Sequence, residues 1–267
     1  MSISRTVLVA LLALGLTRSG LAYDVGEPSF RTRPNDSFFR FEVFHEWFDR
    51  DVDLHVDPPL LGTPAAGPLL IGNQIPPVAT TQEADQVFVR WVLQPLPALS
   101  AQFDLGSDGE STAGDSVITL GGAARILLTE NGPFQLSTQF SAHFVPKFDT
   151  YEAGVDPILG AYEDRGEFKA YEYGAALVGS MTTPLTENSE IMTYLAPRLS
   201  AYRGDYESIA DLTDTGERLW LSARAEQSSP FGIAVGSRIW WGRHLSARVE
   251  GRFAGETSLS AGIGASF

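Results

Sequence analysis

Apolar side chains recur at every second position through most of this chain, and the positions between them are polar or charged. Residues 37 to 48 (SFFRFEVFHEWF) place Phe39, Phe41, Val43 and Trp47 on one face and Arg40, Glu42 and Glu46 on the other. A two-residue period of this kind predicts a strand with one face in an apolar phase. Residues 86 to 94 set Val87, Val89, Trp91 and Leu93 against Gln86, Arg90 and Gln94, and after a PLPA turn Leu99, Ala101, Phe103 and Leu105 alternate with Ser100, Gln102 and Asp104. From 116 to 128, Ile118, Leu120, Ala124, Ile126 and Leu128 oppose Thr119, Gly121 and Arg125. The cleanest alternation follows the TENG turn: Phe134, Leu136, Phe140 and Phe144 against Gln135, Ser137, Gln139, Ser141 and His143.

The rhythm continues to the last residue. Residues 168 to 181 put Tyr171, Tyr173, Ala175, Leu177 and Met181 on the apolar face and Glu172, Gly174, Ala176 and Ser180 on the other. Residues 190 to 203 do the same with Leu195, Leu199 and Ala201 against Tyr194, Arg198, Ser200 and Tyr202; Pro197 cannot donate a ladder hydrogen bond, so a bulge is expected there. Three more strands cover 231 to 241, 244 to 253 and 258 to 267, with Arg238, Ser246, Arg248, Glu250 and Arg252 on the polar face. Each of these roughly ten strands is near the 9 to 11 residues that a tilted strand needs to cross a bilayer. RLWLSARAE (218 to 226) is read as an outer extension of the strand that begins at 231, which keeps the strand number even. The Pro and Gly content of residues 60 to 80 speaks against a strand there, and eight or twelve strands remain alternatives.

Long and short connections alternate. Residues 49 to 84, 106 to 115, 148 to 167 and 204 to 217 are expected to be long, mostly acidic loops, whereas PLPA, TENG, TTPLTENS and WGRH are short turns.

Composition changes this picture little. At 43% hydrophobic residues and a mean hydropathy of −0.03 the chain is no bundle of membrane helices, but strands that show lipid only alternate residues are compatible with it. Cysteine is absent, which removes thiol chemistry and disulfides. The net charge of −14 argues against nucleic acid as a partner. At the N-terminus Arg5, the apolar run Val7 to Leu16 and Gly20-Leu21-Ala22 form the pattern of a secretory leader cleaved after Ala22. The apolar run is well short of the roughly 20 residues of a membrane helix. Residues 23 to 35 are then a periplasmic lead-in and 36 to 267 a single domain.

The C-terminal SLSAGIGASF aligns Leu259, Ala261, Ile263, Ala265 and Phe267 on one face, opposite Ser258, Ser260, Gly262, Gly264 and Ser266. This resembles the assembly signal of bacterial outer-membrane β-barrel proteins, a likeness to the class that covers the last strand and, more loosely, the rhythm of residues 36 to 267. It implies an all-β fold: one transmembrane antiparallel up-and-down barrel in the outer membrane. Its partners would be the barrel-assembly machinery, outer-membrane lipids and lipopolysaccharide. A soluble barrel with the same alternation inverted is the rival fold.

Under that reading Arg40, Arg90, Arg125, Arg198, Arg238, Arg248 and Arg252 share the lumen with Glu42, Glu46, Asp104, Glu172 and Glu250, beside Gln139 and His143. Opposite charges in a narrow lumen pair and fill it; the alternative is a charge-lined conduit for small solutes. DRDVDLHVD places Asp49, Asp51, Asp53, His55 and Asp57 on one face of an extended segment, a weak candidate for Ca²⁺ or Mg²⁺. A solvated face backed by Val52, Leu54 and Val56 is the competing account. His45-Glu46 lacks the second histidine of a zinc-peptidase motif, since residue 49 is Asp. No nucleophile elbow, P-loop or dinucleotide fingerprint is present, so no cofactor and no enzymatic role are expected. The leading expectation is a structural or surface-interaction protein, with a narrow porin-like channel as the alternative and a lipid- or peptide-modifying enzyme as a second.

Overall fold

The computed structural model describes residues 39–63, 67–70, 76–108, 117–156, 160–242 and 244–267. The expected leader (1–22) and lead-in (23–35) lie outside the described residues. The described residues contain strands and no helix: β1 (Phe39–Val56), β2 (Leu60–Thr63), β3 (Gly67–Leu70), β4 (Val78–Leu96), β5 (Leu99–Asp108), β6 (Val117–Asn131), β7 (Phe134–Asp156), β8 (Gly160–Thr186), β9 (Ser189–Leu212), β10 (Glu217–Gln227), β11 (Phe231–Trp241), β12 (Leu245–Phe253) and β13 (Glu256–Ser266). Ten of them pair antiparallel in a closed ring: β1, β4, β5, β6, β7, β8, β9, β11, β12, β13 and back to β1.

Strand β10 lies outside that ring of ten yet in line with it. Along β9 it follows β11 across residues 228–230, as expected of an outer extension. Its other flank, however, pairs with Val52–Val56 of β1 rather than with β12, so it is a strand in its own right. The β12–β13 hairpin makes this switch possible by turning early, through Ala254 and Gly255 at φ 62 and 81. Two residues at positive φ match the right-handed twist of a tight hairpin. Above that turn β10 closes directly on β1.

Several expected loops are strand instead. Residues 60–63 and 67–70 form a short hairpin hung on β10 through Arg218–Trp220, and β4 begins at Val78. Pro68 lies on β3, the outermost strand of the sheet among the described residues, the kind of position to which a strand proline is confined. The expected loops 148–167 and 204–217 are mostly the outer ends of β7, β8, β9 and β10. Residues 109–116, most of the expected loop 106 to 115, lie outside the described residues.

The expected bulge at Pro197 is absent. Ala176↔Arg198 and Gly179↔Leu195 keep one register across it, and Pro197 pairs opposite Ile233 of β11. Register shifts fall instead at Leu93/Leu96, Leu127/Thr129, Val145/Phe148 and Pro184/Thr186. Pro95 and Pro146 lie inside two of these intervals and Pro184 bounds a third, positions where an amide donor is missing.

Several strands are far longer than a membrane crossing requires. β7, β8 and β9 run for 23, 27 and 24 residues, against roughly 9 to 11 for a tilted span. The surplus forms an upper half beyond the level where β5 and β6 stop, an arc in the order β4, β1, β10, β9, β8, β7. In the lower half, which ends at the short turns, Val87, Phe103, Ile126, Phe140, Leu177, Leu199, Val235, Val249 and Ile263 are exposed on the outer wall. The interior there holds most of the buried charge, beside a smaller apolar cluster of Val178, Met192, Ala196, Ala234 and Trp240. In the upper half the pattern inverts: Leu54, Val56, Phe168, Tyr206, Ala210, Leu219, Leu221 and Ala225 are buried in one apolar cluster, while Glu207, Arg224 and Glu226 point outward.

Candidate functional site

The interior charges are delivered by strand parity. On β1 every even residue from Arg40 to Val56 is buried, so Arg40, Glu42, Glu46 and Arg50 line the interior, followed by Val52, Leu54 and Val56. Opposing strands contribute Arg90, Asp104, Arg125, Gln139, His143, Glu172, Arg198, Arg238, Arg248, Glu250 and Arg252, all of them buried. Every residue expected to line the lumen is buried in the structure.

Near the top of the lower half, three arginines interlock with three glutamates. Arg50 reaches Glu172 at 2.8 Å and Glu256 at 2.6 Å through Nη2. Arg198 binds the same two carboxylates, at 2.9 Å through Nη2 and 2.5 Å through Nη1. Arg252 bridges Glu256 at 3.0 Å and also contacts Glu46. Strands β1, β8, β9, β12 and β13 are thus tied across the interior by one balanced cluster. The Arg50 guanidinium also lies 4.8 Å from the Tyr202 ring centroid, and the Tyr202 hydroxyl accepts from Gln82 Nε2 at 2.9 Å.

A second cluster lies lower. Glu42 takes Arg238 at 2.5 Å and Arg248 at 3.3 Å. The Phe44 ring, stacked on Phe88 at 4.9 Å, has Arg90 and Arg248 at 4.6 and 4.3 Å from its centroid. Arg90 grips Asp104 with two bonds of 2.6 and 3.0 Å, and His143 Nε2 stands 3.2 Å from the same carboxylate. That reach needs Gly121: a Cβ on it would overlap the His143 ring, which lies across β6. Gly236 leaves the same opening for Tyr194 on its way to Glu250. Arg125 contacts Gln139.

Two central members escaped the sequence reading. Arg50, fully buried, was hidden in an acidic run, and Glu256 looked like part of a turn. Parity was the available signal, since Arg50 continues the row of Glu46 and Glu256 that of Ser258.

The cation candidate is not assembled. Asp49, Asp51 and Asp53 do share the outer face of β1 and Asp57 follows its last residue, but neighbours in the row stand two strand residues apart, roughly 6.6 Å or more. Among the described residues no three His, Asp or Glu side chains gather as metal ligands, and Asp57 accepts from Ser222 Oγ at 2.9 Å. His45 also faces outward and contacts Asp85 on β4.

In the upper half, Tyr206 donates to Asp164 Oδ2 at 2.9 Å. Burial holds the Asp164 carboxyl above its ordinary range and pushes the Tyr206 phenol up to about 12.

No protein-family model and no curated protein sequence matches the chain. The solved structures it is similar to include bacterial outer-membrane β-barrel proteins. Outer membrane protease OmpT from Escherichia coli is 9% identical over 91% of this chain and 100% of that one, with a TM-score of 0.45. An outer membrane channel from Pseudomonas putida F1 is 12% identical over 91% and 100%, at 0.37. The translocator domain of the autotransporter NalP from Neisseria meningitidis is 10% identical over 88% and 90%, at 0.38. Likeness this distant carries no residue role, substrate or activity to this chain.

Proposed function

We propose that this chain is a sealed outer-membrane β-barrel, without catalytic activity, whose upper half stands outside the cell as a surface for interaction with its surroundings. One observation carries the reading: above the Arg50–Glu172–Arg198–Glu256–Arg252 cluster the interior becomes a mostly apolar core, with Leu54, Leu219 and Ala225 at 0% exposure and the Tyr206–Asp164 hydrogen bond within it. Charge pairs alone leave open a narrow polar path. An apolar plug stacked on them does not, because an ion in it would lose its hydration without replacement.

The membrane placement is supported by the lower half itself. A wall that exposes Phe, Leu, Ile and Val while burying Arg and Glu is stable only where lipid is the outer solvent. Lipids and lipopolysaccharide are its partners there. The barrel-assembly machinery would read β13, where Leu259, Ala261, Ile263 and Ala265 form the outward row that leads to Phe267. Export by a cleaved leader belongs to the same reading.

Planar-bilayer recording of purified protein tests the seal. No discrete current steps are expected at any salt concentration; stable unitary steps would replace this reading with a solute channel.

A further inference from the structure

The outer face of the upper half carries one row that its charged surroundings do not explain. Cross-strand partners place Tyr151 of β7 beside Arg165 of β8, Arg165 beside Ile209 of β9, Ile209 beside Trp220 of β10 and Trp220 beside Leu60 of β2. At about 4.8 Å per strand this Tyr-Arg-Ile-Trp-Leu row spans about 19 Å. It faces away from the apolar core, with Tyr151 47% and Ile209 39% exposed. Arg165 stands six residues beyond Tyr171 along β8, about 20 Å of strand, which puts the row clear of the lipid-facing belt. Apolar exposure here has no lipid to cover it.

Acid flanks the row on both sides. Toward the membrane lie Asp149, Glu167 and Glu207; toward the tip lie Glu163 and Asp211. Arg165 pairs with Glu163 at 3.4 Å, Arg218 with Asp211 at 2.6 Å and Lys147 with Glu167 at 2.5 Å, so the five flanking carboxylates outnumber the three cations paired with them; Lys169, Arg203 and Arg224 gather on Asp205, one row nearer the membrane. Glu167 stands directly opposite Glu207, and Glu163 directly opposite Asp211. Like charges opposite one another weaken a ladder, and a cation laid across them removes that repulsion. Trp, Tyr and Arg are also the side chains that anchor protein interfaces most often.

Building on the surface-interaction reading, we propose that this row is a docking site for a cationic polypeptide segment that carries apolar side chains between lysines or arginines. The apolar side chains cover Tyr151, Ile209 and Trp220, and the cations meet the carboxylates above and below. The row crosses the strands, so the partner lies over the sheet face and adds no strand to its edge.

The test uses the full barrel in zwitterionic nanodiscs and a fluorescent peptide of alternating Lys and Leu, with empty nanodiscs as background. Saturable binding is expected, weakened about tenfold or more by Tyr151→Ser with Trp220→Ser, and weakened by Glu207→Lys and by added salt. Heat-dependent gel mobility verifies that each variant is folded; Ile209→Glu, a single exposed change, serves if the double variant fails that check. Undiminished binding by the folded variants overturns the proposal. So does equal binding of a Lys-Ser peptide, which would leave acidity as the whole cause, or binding of a neutral oligosaccharide in place of the peptide. A conducting pore would defeat the sealed-interior reading and leave this result standing.

Discussion

The two halves of this molecule share strands but use opposite chemistry. In the lower half β9 turns Leu195 and Leu199 outward and Arg198 inward; in the upper half the same strand turns Asp205 and Glu207 outward and Tyr206 and Ala210 inward. Nothing in the backbone changes between them. On the proposed membrane reading what changes is the solvent outside, acyl chains below and water above, and the side chains follow it. A single strand can therefore cross two environments by inverting its pattern without breaking its hydrogen bonds.

The halves should fail differently when each is damaged at its own weak point. The largest effect is expected from Glu256→Ala, which strips Arg50, Arg198 and Arg252 of a shared carboxylate. Removing one partner of a buried charge cluster costs about 3–5 kcal/mol. The heat-dependent gel shift and urea midpoint of the lower ring should fall accordingly. Phe168→Ala is expected to cost about 3–5 kcal/mol as well, because it leaves a cavity in the buried apolar cluster. Its damage should remain above the membrane: faster protease cleavage near β7 and β8, with the lower ring still resistant to heat.

A sharper contrast uses one substitution at two heights. Leu199→Arg puts a charge on the lipid-facing wall, where the cost reaches about 2–4 kcal/mol near the bilayer midplane. Ile209→Arg, ten residues further along the same outer face, should change stability by about 0.5 kcal/mol or less. Urea titrations in lipid vesicles compare them directly.

The smallest effect concerns pH. Burial raises Asp164, so its contribution to stability is present at low pH and is lost as pH rises through the raised value. Asp164→Asn should flatten that slope in unfolding curves of the upper half. Tyr206→Phe should delete one tyrosinate signal appearing near pH 12 in ultraviolet titration.

The lower half was legible in the sequence because its pattern is unusual: arginine and glutamate alternating with aromatics has few explanations outside a strand bathed in lipid. Parity alone assigned Arg40, Glu42, Asp104 and His143 to one interior. The upper half was not legible, because the same rule looks for charge inside. There, GAYEDRGEF and RGDYESIADL read as acidic loops, although Tyr162, Phe168, Tyr206 and Ala210 alternate within them. Inverting the rule once the strands pass Tyr171 would have recovered β7 to β10 at their full length. Partner choice stayed hidden for another reason. Which carboxylate Arg50 meets depends on register across the interior, and glycines such as Gly121 and Gly236 decide which long side chain can lie across a neighbouring strand.

The inversion along a single strand is the claim on which everything else rests, and the absence of cysteine makes it directly measurable. Nitroxide labels on cysteines introduced singly at Leu199 and Ile209 sit on the same outer face of β9. In lipid vesicles, Leu199 should relax with dissolved oxygen and be shielded from a water-soluble nickel chelate, whereas Ile209 should show the reverse. Equal access of the nickel chelate to both positions would contradict the account.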